Sequence, residues 1–123
     1  MVAYQTSVTY PVNVAEHKAF FEEHDRYLLD NYTVIGKEQL REFFAPAVEF
    51  MQKSGHDLYC GEFGVIANAD LESTERWLYD MTSLFNEYGI GHAVWSYRGF
   101  SKITEPDNTP NMDLVRAIAN KSV

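Results

Sequence analysis

Glu62 stands between two glycines in Tyr59-Cys60-Gly61-Glu62-Phe63-Gly64-Val65. Leu58, Tyr59 and Cys60 supply the apolar and aromatic run of a short buried strand, and Gly61 and Gly64 punctuate its end. A carboxylate costs several kcal/mol to desolvate unless it is paired, so packing alone is a poor reason to place one there. In a sheet of parallel strands alternating with helices, ligands bind and catalytic side chains project at the carboxyl ends of the strands. Glu62 is therefore a candidate catalytic carboxylate; a turn glutamate open to water after an ordinary strand is the other reading. A second strand candidate, Ile90-Gly91-His92-Ala93-Val94-Trp95-Ser96-Tyr97, is followed by Arg98 and again ends in large polar-tipped residues.

Other side chains with chemical potential are less well placed. His17 and His24 lie two helical turns apart on one face, among Glu22, Glu23 and Asp25, which suits a solvated face better than a metal site. No tight ligand spacing joins His17, His24, His56 and His92. The lone Cys60 cannot form an intramolecular disulfide and reads as a buried structural thiol.

The elements that must position these residues follow from pattern. Residues 1–12 read as extended, with strand propensity at Val8-Thr9-Tyr10 and a stop at Pro11. Asn13, with Glu16 three residues on, starts a helix expected over about 14–30, carrying Phe20, Phe21, Tyr27 and Leu28 at helical spacing. A connector over 31–36 closes on glycine. A second helix is expected over about 37–52, kinked or split by Pro46. The Glu62 strand comes next. Asp70 then caps a helix with the clearest period in the chain, Trp77, Leu78, Met81, Leu84, Phe85 and Tyr88, and Gly89 stands just past its end. Trp77 reads as core. After the second strand, a loop over 101–111 leads to a last helix over about 112–120. The order helix, helix, strand, helix, strand, helix implies parallel strands in an α/β protein.

A length of 123 residues suits one modest domain, and 46% hydrophobic content argues for a packed globule. A net charge of −8 with no run of Lys or Arg disfavours nucleic-acid and anionic-membrane partners. The chain has no stretch of transmembrane length, and Met1-Val2-Ala3-Tyr4-Gln5 lacks a basic leader, so as given it reads as cytoplasmic, while a full-length parent could be secreted.

The run from Tyr59-Cys60-Gly61-Glu62-Phe63-Gly64, through Trp77-Leu78, Leu84-Phe85 and Tyr88-Gly89-Ile90-Gly91, to Ala93-Val94-Trp95-Ser96-Tyr97 resembles the carboxy-terminal end of glycoside hydrolase family 5, cellulase-like enzymes on a TIM barrel. The resemblance extends from about Tyr10 onward and is strongest from Leu58 to Phe100. It implies the last two strands of a (β/α)8 barrel with flanking helices, incomplete as a single chain: residues 1–12 extended, 13–55 two helices, 56–123 the last two strand-helix units. It gives Glu62 the role of nucleophile in a retaining mechanism and Trp95 that of a platform under the sugar, with barrel-core packing as the alternative for Trp95. Tyr97 and Arg98 would orient hydroxyls of a β-linked oligo- or polysaccharide. No metal or organic cofactor is called for.

The family's acid/base comes from an Asn-Glu-Pro motif on an earlier strand, and no such motif precedes Glu62. Thr104-Glu105-Pro106 resembles it but follows the last strand, so it is rejected. The resemblance thus implies a fragment that carries the nucleophile without the acid/base and is inactive alone, completed by the missing strands or by self-association. A non-catalytic carbohydrate-binding or structural remnant of the same fold is the alternative.

Overall fold

The computed structural model describes residues 9–67, 69–99 and 101–120. Val8 of the first strand candidate, the segment Met1–Gln5, Asn68 and Phe100 lie outside them. In chain order the elements are β1 (Val12–Asn13), a 3-10 turn (Val14–His17), α1 (Lys18–His24), α2 (Arg26–Asn31), β2 (Val34–Ile35), α3 (Lys37–Ser54), β3 (Tyr59–Phe63), α4 (Leu71–Tyr88), β4 (Gly91–Val94) and α5 (Met112–Ala119).

The centre is α4. The Asp70 carboxylate accepts from the Ser73 N–H at 2.8 Å, and Gly89 ends the helix at φ 68°, a left-handed conformation that costs glycine little. The expected stripe is buried as Leu78, Met81, Leu84 and Phe85, with Trp77 half-buried against Phe63. On one side α5 packs through Leu114 and Ala117. The buried Thr82 hydroxyl lies 2.9 Å from the Leu78 carbonyl and 3.0 Å from the Ala117 carbonyl, so its hydrogen ties the two helices. On another side α3 brings Phe44 to 5.2 Å from Phe85 and stacks it on Tyr88.

The β3 and β4 strands are parallel, as the alternation of helix and strand implies. Three sequence expectations are corrected. The helix over 14–30 is broken into a 3-10 turn and two short helices. Asp25 leaves helical geometry at φ −155° and ψ 77°, and its carboxylate caps α2 by accepting from Leu28 N–H at 3.2 Å. An aspartate inside an apolar period competes with the backbone as a cap. Second, the 31–36 connector contains β2, antiparallel to β1 in the register Val12↔Ile35 and Asn13↔Val34. This pair closes over Val14, Phe21 and Ile35, a small second cluster. Third, α3 is not split at Pro46 but continues through it to Ser54.

The N-terminal segment is locked onto α4. Tyr10 is buried, its N–H donates to Ser73 Oγ at 2.8 Å, its hydroxyl to Asp80 Oδ2 at 2.8 Å, and its carbonyl accepts from Arg76 Nε at 2.8 Å. No helix among the described residues is long and apolar enough to cross a membrane.

Candidate functional site at the ends of the parallel strands

Glu62 is the penultimate residue of β3, not a residue after it, and the strand is far from buried: only Phe63 is enclosed, while Tyr59 is 68% exposed. The reason is that β3 pairs with β4 alone among the described residues and has α4 on one face only.

The register explains how Glu62 reaches the open face. Tyr59 pairs with Gly91 and Cys60 with His92, but Phe63, not residue 62, pairs with Val94. One extra residue of β3 is thus accommodated at Gly61-Glu62, a bulge that breaks the two-residue alternation. Without it, Cys60 and Phe63 would point to opposite faces. With it, both pack toward α4, and the exposed Glu62 stands on the other side. The Cys60 thiol donates to the Glu62 carbonyl at 3.3 Å, within the bulge. Cys60 is half-buried beside the core rather than enclosed as expected, because β3 is covered on one side only. His92 stacks on Phe85 at 4.7 Å, with Phe63 edge-on, as a packing residue.

Trp95 follows directly on β4. Its N–H donates to the Phe63 carbonyl at 2.7 Å, so it extends the ladder and brings the two strand ends, carrying Glu62 and Trp95, side by side. Parallel neighbours lie about 4.8 Å apart. The Trp95 side chain is 57% exposed at this open end and does not pack into the core. The Trp95–Ser96 peptide bond is cis. Ser96 is clasped on both sides, its N–H donating to the Ser101 carbonyl at 2.9 Å and its carbonyl accepting from Ile103 N–H at 3.2 Å. A Cβ on Gly64 would stand 2.0 Å from the Trp95 carbonyl oxygen, so only glycine lets the two segments approach. Sequence reasoning read Gly64 as punctuation and missed this role; the second glycine of the motif was the available signal.

Tyr97 and Arg98 are drawn toward the following loop. The Tyr97 hydroxyl donates to the Asn108 carbonyl at 3.3 Å, and the Arg98 guanidinium sits 5.7 Å from the Tyr97 ring centroid. Glu105 accepts from Asn111 Nδ2, and Asn111 Oδ1 caps α5 through the Asp113 and Leu114 N–H groups, both at 3.1 Å. Glu105 therefore braces the start of α5. Among the described residues, no three His, Cys, Asp or Glu side chains are grouped to hold a metal ion.

The chain is 40% identical to Endoglucanase C of Acetivibrio thermocellus over 125 residues, covering 98% of this chain and 36% of that protein. Endoglucanase C307 of Clostridium sp. (strain F1) matches with the same figures. The chain thus spans little more than a third of the length of these curated relatives. Among solved structures, a hyperthermophilic endo-beta-1,4-glucanase in complex with substrate superposes with TM-score 0.64 at 26% identity, over 69% of this chain and 28% of that one. Thermotoga maritima Cel5A in complex with cellobiose gives TM-score 0.62 at 26% identity, over 67% and 27%. No protein-family model matches the chain.

Parallel strands backed by helices, and neighbours that are TIM-barrel glycoside hydrolases, make this an α/β protein of the glycoside hydrolase class. The chain belongs with the cellulase-like enzymes of glycoside hydrolase family 5 and corresponds to their carboxy-terminal part.

Proposed function

We propose that this chain supplies the nucleophile and the sugar platform of a retaining β-glycoside hydrolase acting on β-1,4-glucan, and that the rest of the barrel supplies the acid/base. The observation that carries the reading is the pairing of Glu62 and Trp95 at the same ends of adjacent parallel strands, the position where barrels of this kind hold their chemistry. In the complete enzyme, the Glu62 carboxylate attacks the anomeric carbon, the glycosidic bond breaks as an acid from an earlier strand protonates the leaving oxygen, and water then releases the sugar from the covalent intermediate. A retaining pair needs its carboxyls about 5–5.5 Å apart, so Glu62 must face a partner across the barrel. Trp95 offers an aromatic face to the axial C–H surface of the pyranose, and Tyr97 and Arg98 orient its hydroxyls. The glucan follows from the relatives, which are endoglucanases.

The single partial domain leaves both edges of the β3–β4 pair open among the described residues, which suits completion by the remaining strands or by another copy. Alone, the chain lacks general acid catalysis, itself worth roughly 10²–10⁴ in rate.

The test is a chimera in which this chain replaces the matched segment of Acetivibrio thermocellus Endoglucanase C, assayed on a soluble β-glucan beside the isolated chain. Turnover in the chimera that Glu62→Gln abolishes, with none from the isolated chain, supports the reading. A folded chimera that turns over equally well with Glu62→Gln refutes it.

A further inference from the structure

A groove of about 410 Å³, none of whose lining residues belongs to the strand ends, lies between α2, β2 and the first turns of α3. Its volume is within the roughly 300–1,000 Å³ of small-molecule sites. It is lined by Tyr27, Asn31, Tyr32, Gln39 and Glu42 among others, and no Lys or Arg takes part.

Asn31, Gln39 and Glu42 each use one atom to build the groove and leave a second without a protein partner among the described residues. Asn31 Nδ2 donates to the Tyr27 carbonyl at 2.8 Å, which leaves Oδ1. Gln39 Oε1 accepts from the Gly36 N–H at 2.9 Å, which leaves the Nε2 donors. Glu42 Oε2 accepts from the Tyr32 hydroxyl at 3.0 Å, which leaves Oε1. The Tyr32 ring is held edge-on between Tyr27, at 6.2 Å, and Phe43, at 5.7 Å. Desolvated and bonded to Glu42, its hydroxyl is pushed up to about 12 and stays protonated at neutral pH. Tyr27 is 64% exposed and offers most of its ring to solvent.

This is a donor and acceptor set for a neutral, hydroxyl-rich ligand with an apolar ring face. The absence of a cation from the lining, in a chain of net charge −8, argues against phosphate or carboxylate ligands. A single carboxylate already engaged by Tyr32 is too little for a divalent cation, which takes several oxygen ligands. An exposed aromatic ring beside amide and carboxylate groups suits a pyranose, whose C–H face stacks on the ring while its hydroxyls reach the amides.

We infer that the groove built by Tyr27, Asn31, Tyr32, Gln39 and Glu42 is a second saccharide-binding site, separate from the Glu62–Trp95 strand ends, that holds a further stretch of the β-glucan chain. The choice of sugar rests on the glycosidase reading; the site itself rests on the groove.

The 123-residue chain is run by native affinity electrophoresis in gels containing soluble β-glucan, with far-UV circular dichroism on every variant. The parent is expected to be retarded, Trp95→Ala to keep the share of that retardation that the groove supplies, and Tyr27→Ala in the Trp95→Ala background to lose about tenfold in affinity, the scale of one aromatic contact with its buried area. Asn31→Ala is a second variant at another exposed position and is expected to weaken binding in the same direction. Retardation unchanged in both Tyr27→Ala and Asn31→Ala overturns the inference, as does a parent that is not retarded. Retardation lost only in Trp95→Ala overturns the groove but leaves the strand-end site standing. The glycosidase reading is judged separately by turnover of the chimera.

Discussion

The carbonyl oxygen of Trp95 occupies the space that a side chain on Gly64 would need, with only 2.0 Å between that oxygen and an ideal Cβ. The loop leaving β3 and the residue leaving β4 are thus pressed together, and Trp95 is set beside the strand end that carries Glu62. Gly64→Ala must push backbone against backbone, which no rotamer change relieves. The expected result is a chain that keeps its helices but moves Trp95. In a Trp77→Phe background the remaining indole emission should shift on Gly64→Ala, and the chimera carrying it should lose at least about tenfold in kcat/KM, the size of a loss caused by misplacing a positioned group by an ångström or less. An unchanged emission spectrum and unchanged turnover would show that the close approach is dispensable.

Tyr10 joins the N-terminal segment to α4 by burial and by three hydrogen bonds, one of them to the Asp80 carboxylate. Burial and then the Asp80 contacts raise the Tyr10 hydroxyl far above its ordinary value, so it is a permanent donor. Tyr10→Phe keeps the ring and strands the half-buried Asp80 oxygen. A loss of about 1.5–3 kcal/mol in urea unfolding is expected, the range for a hydrogen bond to a charged group. A double variant Tyr10→Phe, Asp80→Asn should recover part of it.

Thr82 is fully buried, with its hydroxyl between carbonyls of α4 and α5. Thr82→Val preserves shape and removes the donor. The expected loss is about 1 kcal/mol, one neutral hydrogen bond, with no new cavity. A Tm that does not fall would mean that the α4–α5 contact is held by Leu114 and Ala117 alone.

The Asp70 carboxyl is held below its ordinary value, first by the Ser73 N–H and then by the Ser73 side chain. A carboxyl depressed in the folded state stabilises the fold above its unfolded value, about 3.9, and this contribution is lost as pH falls through the folded value. The parent should therefore be more stable than Asp70→Asn near neutrality, and the two melting curves should converge below about pH 4. A gap in Tm that stays constant from neutral pH to about pH 3 would rule out the Asp70 charge as its source.

Much of this molecule was legible in the residues themselves. The α4 stripe, its Asp70 cap and its Gly89 terminus are local signals, and the parallel relation of β3 and β4 followed from the helix between them. The resemblance of the Gly61-Glu62-Phe63-Gly64 and Trp95-Ser96-Tyr97 segments to family 5 cellulases was visible for the same reason: short motifs at a set distance survive without any knowledge of contacts. Asp25 was misread because apolar spacing on both sides of it suggested one continuous helix, while its carboxylate serves better as a cap for a second. β2 was missed because two residues carry too little pattern to mark a strand, and it exists only by pairing with β1.

The sequence by itself singled out the residues proposed for the chemistry, since Glu62 and Trp95 are distinguished by type and by neighbours. The tertiary structure alone decided how they are presented. The extra residue at Gly61-Glu62 is defined only against the register of β4, and it turns Cys60 and Phe63 toward α4 while Glu62 stands clear. The need for glycine at position 64 arises only from the Trp95 carbonyl, just past the end of the neighbouring strand. Register and close approach are relations between segments distant in the chain, and no local propensity encodes them.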